Sequence, residues 1–123
     1  MAQRLVEIRS YKLKAGEAAT FHEAVESTVM PMLSPAMDVV AYGPSAHEPD
    51  TYFLIRAYAD LADLEATQAA FYGSDAWRQG PRKTIVPRIE SHLNTVVWMS
   101  QASVEDLRRC NPAREGGTQN VPG

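Results

Sequence analysis

The sequence predicts an α+β domain in the order β-α-β-β-α-β, the ferredoxin-like split βαβ arrangement with one four-stranded antiparallel sheet. Three observations lead there. Segments rich in β-branched and aromatic residues recur at 5–13, 37–43, 51–58 and 88–99. Longer stretches with helical spacing separate the first from the second and the third from the fourth. Between the second and third lies only "PSAHEPD", a loop by its Pro, Ser and Asp content.

The first strand, Leu5 to Leu13, ends at "KAGE", where Gly16 breaks the pattern. "EAATFHEAVESTVMPML" then reads as a helix with Phe21, Val25, Thr28 and Met32 on its buried stripe. Pro31 lacks a donor and is expected to kink or stop it near Met30. "MDVVAYG" makes strand two and "TYFLIRAY" strand three. Asp60 caps a second helix that Gly73 ends, and Ser74 caps the short turn "DAWRQ". "RKTIVP" holds one more helical turn before the long last strand, "RIESHLNTVVWM". One domain therefore spans 4–100. Residues 101–123 form a C-terminal extension, irregular or disordered for most of its length, in which "SVEDLRR" has the pattern of a short helix.

The bulk properties narrow the partners. A net charge of −3 without a basic run argues against nucleic acid and anionic membranes. No apolar run approaches the ~20 residues that span a bilayer. "MAQRLVEIRS" has no apolar signal core, so no cleaved targeting peptide is expected. Cys110 stands alone, which excludes an internal disulfide and fits a reducing cytoplasm; beside a polar tail it reads as a bystander thiol. With both helices on one face, the other face needs a cover, and a second copy packed sheet to sheet is the economical one.

"VEIRSYKLKAGEAATFHEAV" resembles the opening of NIPSNAP-type domains, in which a Glu-Leu/Ile-Arg-x-Tyr strand runs through Lys-x-Gly into a helix carrying a Phe. "YFLIRAYADLADLEATQAAFYGSDAW" resembles the same family's third strand, second helix and acidic-residue-plus-Trp turn, so the resemblance covers roughly residues 5 to 98. It implies a homodimeric α+β barrel. Members of that wider group include cofactor-free monooxygenases, isomerases, lyases, haem enzymes and proteins without known activity, so the fold follows better than the chemistry. One departure is His22, where the family usually carries an aliphatic residue.

Alternation assigns faces. Val6, Ile8, Phe53, Ile55, Leu93 and Val97 are placed toward the helices. Glu7, Arg9, Tyr11, Arg56, Tyr58, His92, Asn94 and Trp98 fall on the opposite face, which the barrel would enclose, and Tyr42 joins them. Buried charges persist only when paired, and Glu7 between Arg9 and Arg56 offers a pairing. One reading is an ion-pair network that fixes register and dimer geometry. The other is a polar cavity in which Arg9 or Arg56 holds a carboxylate or enolate while His92 or Tyr11 shifts a proton.

His22, one turn before Glu26, has the spacing of a carboxylate-oriented base, or of an exposed helical histidine. Tyr72 and Trp77 flank Gly73 and either close the core or wall a planar ligand. His22, His47 and His92 lack metal-ligand spacing, so neither metal nor another cofactor is expected. The functional expectation is a small-molecule-binding protein, a cofactor-independent enzyme acting on an aromatic or carbonyl-bearing metabolite by proton transfer or rearrangement. Its alternatives are a non-catalytic dimeric ligand- or partner-binding protein and a cofactor-free oxygenase. Catalysis would fall to His92, His22 and Tyr11, and binding to Arg9, Arg56, Glu7, Tyr42, Trp77 and Trp98.

Overall fold

A computed structural model describes residues 2–111. Strands β1 (Gln3–Leu13), β2 (Asp38–Pro44), β3 (Thr51–Tyr58) and β4 (Ile89–Ser100) form one antiparallel sheet in the order β2-β3-β1-β4. This is the interleaved order of a split βαβ chain: each helical crossover spans one intervening strand. Glu7 lies opposite Arg56 on β3, and Leu5 and Tyr11 lie opposite Trp98 and His92 on β4. Opposed residues share a face, so register alone gathers these side chains.

The first crossover is α1 (Ala18–Ala24), a π-helical turn (Val25–Val29) and α2 (Met30–Leu33), run together as one rod. Pro31 does not stop it. The Met30 N–H donates to the Val25 carbonyl five residues back, and the wider turn accommodates a proline that has no N–H to give. The second crossover begins with α3 (Leu61–Tyr72), where the Asp60 carboxylate accepts the Asp63 N–H at 2.8 Å. A Cβ at Gly73 would fall 2.7 Å from the Ala69 carbonyl oxygen, so only glycine closes α3 this tightly. Ser74 then caps α4 (Asp75–Gln79), followed by α5 (Arg82–Ile85) and a 3-10 turn (Val86–Arg88).

The helices cover the face opposite to the one that alternation suggests. Leu5, Leu13, Tyr52, Leu54 and Tyr58 point toward the helices and pack with Phe21, Val25, Leu33 and Phe71; Glu7, Arg9 and Tyr11 point the same way. Val6, Ile55 and Ala57 belong to the other side. Both phases of β1 and β3 carry apolar residues, so period two does not choose between them.

That other side carries α6 (Gln101–Cys110), capped by Ser100. Val104 is wholly buried there against Val6, Val40, Ala41 and Ala57. Arg108 reaches Asp38 at 3.0 Å, and Arg4 meets the same carboxylate at 3.1 Å. Helices are thus not confined to one face, and the extension is packed helix as far as Cys110. The part expected to be irregular beyond Asn111 lies outside the described residues. On the edge strand β4, Leu93, Val96 and Trp98 remain exposed.

Candidate functional site

Glu7 and Arg56 are both 0% exposed, between sheet and helices rather than in a sheet-to-sheet interior. Glu7 Oε1 accepts from Arg56 Nε at 2.8 Å, and its two oxygens accept from Gln68 Nε2 of α3 at 2.9 and 3.0 Å. Oε2 also accepts from Arg9 Nη2 at 2.9 Å. Arg56 Nη1 donates to the Tyr72 hydroxyl at 2.7 Å. Its Nη2 lies 2.8 Å from Glu7 Oε1 but is directed past that oxygen and has no aligned acceptor among the described residues. Burial pushes the Glu7 carboxyl up, but Arg56, Gln68 and Arg9 together hold it below the usual carboxylate range. Burial likewise opposes the Arg56 charge, and Tyr72 and Glu7 outweigh it.

In front of this cluster lies a cavity of ≈ 490 Å³, between the helices and their face of the sheet. Phe21, Val29, Leu33, Leu54 and Ile85 form its apolar wall, and Arg9, Tyr11, Gln68 and Tyr72 its polar one. Tyr72 and Trp77 meet edge to face at 5.2 Å and both line it, so the pair closes the core and walls the cavity at once. The exposed lining residues Arg82, Glu90, Ser91 and His92 mark the mouth, at the start of β4.

The site residues expected from sequence fall into three groups. Arg9, Tyr11, Trp77 and His92 line the cavity. Glu7 and Arg56 stand behind its wall and set its charge through Arg9, Gln68 and Tyr72. His22, Tyr42 and Trp98 are not part of the lining. His22 instead holds the Tyr52 hydroxyl at 2.6 Å through Nδ1 and stands 3.5 Å from Glu26 through Nε2. Tyr42 donates to the same glutamate at 3.4 Å. Trp98 is 57% exposed on the edge strand. Among the described residues, no three of His, Cys, Asp and Glu converge at metal-binding spacing.

Two contributors escaped the sequence argument. Gln68 follows Leu64 by one turn and precedes Tyr72 by one turn, so a polar residue interrupts the buried stripe of α3; that interruption was the available signal. Tyr52 lines the cavity and is 1% exposed. Burial, then Tyr42 and Glu26, push its phenol far above the ordinary range, so it stays protonated.

A family model described as NIPSNAP matches residues 6–102. Among curated proteins no sequence matches the chain. Solved structures resemble it in fold. A NIPSNAP family protein of Agrobacterium tumefaciens is 19% identical, with 85% of this chain and 92% of that one covered at a TM-score of 0.76. An uncharacterized NIPSNAP-like domain protein of Burkholderia xenovorans is 19% identical, with 97% and 91% covered at 0.71. A candidate antibiotic biosynthesis monooxygenase of Nitrosomonas europaea is 17% identical, with 81% and 91% covered at 0.58. At these identities the neighbours establish the α+β, ferredoxin-like fold and nothing of the chemistry. The family model, which spans most of the sequence from β1 to the start of α6, settles the assignment: this chain belongs to the NIPSNAP family.

Proposed function

We propose that this protein binds a small, mainly apolar, carbonyl-bearing metabolite in the cavity between helices and sheet, and acts on it without a cofactor by proton transfer. The observation that carries this is the cavity itself: ≈ 490 Å³, walled by apolar side chains and closed at one end by a buried hydrogen-bonded charge cluster. That combination of apolar volume and a few converging polar groups is the usual anatomy of a ligand site. His92 and Tyr11 both line it, their rings 6.2 Å apart, and are the groups placed to exchange a proton with a ligand. Assembly as a homodimer, through the part of the opposite face that α6 leaves uncovered, remains part of this reading and is supported by Leu93, 76% exposed there.

A second reading, a binding protein without turnover, is favoured by one feature. No partner among the described residues hydrogen-bonds His92, so nothing fixes its tautomer as catalysis prefers. Native mass spectrometry of freshly purified protein, followed by denaturing analysis of what is released, tests the binding claim. A discrete small mass per chain supports it and gives the ligand class. For catalysis, His92→Ala is expected to retain binding and lose turnover; full turnover would remove His92 from the mechanism.

A further inference from the structure

We infer that the polar end of the cavity is a carboxylate subsite, so that the ligand is a monoanionic acid with an apolar body about the size of one or two rings. This rests on the cavity reading above and specifies its ligand. Hydrogen-bond donors outnumber acceptors at this end of the cavity. Glu7 is saturated: Oε1 takes Arg56 Nε and Gln68 Nε2, with the Tyr58 hydroxyl at 3.4 Å, and Oε2 takes Arg9 Nη2 and Gln68 Nε2. It has no acceptor capacity left to share.

Donors remain over. Arg9 gives Nε to Asn94 Oδ1 at 3.3 Å and Nη2 to Glu7 and also reaches the Tyr11 hydroxyl, and as a guanidinium with five N–H groups it keeps donors to spare. The Tyr72 oxygen receives Arg56 Nη1 at 2.7 Å, so its own proton is directed elsewhere. Tyr11 lies beside the Arg9 guanidinium, a donor-only group, and its phenolic proton is likewise unclaimed. Arg9, Tyr11 and Tyr72 all line the cavity, so these free donors belong to one wall.

Charge points the same way. Two guanidinium groups face one carboxylate, and at the mouth Arg82 and Glu90 offset each other. The polar end thus carries one positive charge in excess, shared between the fully buried Arg56 and the partly exposed Arg9. One ligand carboxylate cancels that excess and brings up to four acceptor positions for the three free donors. A dianion would leave a negative charge uncompensated, and an amine would meet Arg9. Against the remaining wall, Val29, Met30, Leu33 and Ile85 accept only apolar surface.

The test is calorimetric titration with matched pairs: phenylacetate, 4-phenylbutyrate and 1-naphthylacetate, each against its neutral primary amide. At least one acid is expected to bind tenfold or more tightly than its amide. Arg9→Gln is expected to weaken that acid tenfold or more and to bring it to the level of the amide, whose own binding changes by a much smaller factor. Because Arg9 also supports Glu7, Tyr11→Phe serves as a gentler variant, expected to weaken the acid several-fold and the amide less than the acid. Equal binding of acid and amide by the wild type overturns the carboxylate subsite and leaves the cavity reading standing. Failure of every acid and every amide overturns both.

Discussion

Replacing Glu7 by Gln removes one charge at nearly constant shape and isolates what the buried cluster contributes. In the wild type this carboxylate receives Arg56 at 2.8 Å, Gln68 at 2.9 and 3.0 Å and Arg9 at 2.9 Å, and neither Glu7 nor Arg56 is exposed. The amide keeps one acceptor oxygen and turns a donor toward Arg9 or Arg56. Arg9 is 18% exposed and regains some hydration, whereas Arg56 does not. Removing one partner from a buried pair costs about 3–5 kcal/mol, because the remaining charge stays in low dielectric. With an m-value of about 1–3 kcal/mol/M, the urea midpoint at pH 7 falls by on the order of 2 M.

Two further readouts separate charge from packing. Glu7→Gln with Arg56→Met removes both charges and is expected to be at least about 1 kcal/mol more stable than Glu7→Gln alone. The pH dependence has a fixed sign. Glu7 titrates below its ordinary value of 4.5: burial raises it, but Arg56, Gln68 and Arg9 outweigh burial. Its contribution is therefore complete above about 4.5 and lost as pH falls through the lower folded value. Glu7→Gln lacks that acid limb. A cost below about 1 kcal/mol, or a double variant no more stable than Glu7→Gln alone, refutes the reasoning.

Two other perturbations follow from the same contacts. Ending the chain after Ser100 removes α6 with its fully buried Val104 and the Arg108–Asp38 pair, and is expected to cost about 2–4 kcal/mol relative to a chain ending at Asn111; an unchanged melting midpoint would show that α6 contributes no packing. Tyr52→Phe deletes the 2.6 Å bond to His22, whose ring can turn to water, so a loss of about 1 kcal/mol is expected by chemical denaturation, with a changed His22 imidazole signal by NMR; an unaltered imidazole signal would contradict the bond.

Much of the fold was legible because its signals are local. Asp60 and Ser74 mark helix starts by side-chain chemistry and Gly73 a helix end by having no Cβ, and β3 lies at 51–58 as its β-branched and aromatic content predicts. What failed was non-local. Period two assigns Glu7, Arg9 and Tyr11 to a common face but cannot say which layer covers it, since Val6 and Ile8 are equally credible core residues. The distinguishing information sat on α3, in Gln68 between Leu64 and Tyr72: a half-buried amide facing the sheet needs a polar partner there, and Glu7 is it. Pro31 misled for a related reason, because a π-turn absorbs its missing donor without ending the rod. Of the residues lining the cavity, Arg9, Tyr11 and His92 share a face by strand register, and Trp77 stands out by residue type beside Gly73. Tyr42 and Trp98 were not separable from them by pattern, because strand position does not record distance from the cavity.

Methyl-detected NMR with 1-naphthylacetate as the probe decides where a ligand goes. Val25, Val29, Met30, Leu33 and Ile85 line the cavity under the helices, whereas Ile8, Ile55 and Val97 lie on the opposite face. The structure predicts saturable shifts confined to the first set, with Arg9→Gln weakening them. Shifts confined to the second set would place binding on the other side of the sheet and contradict the assignment of the polar cluster to a ligand cavity.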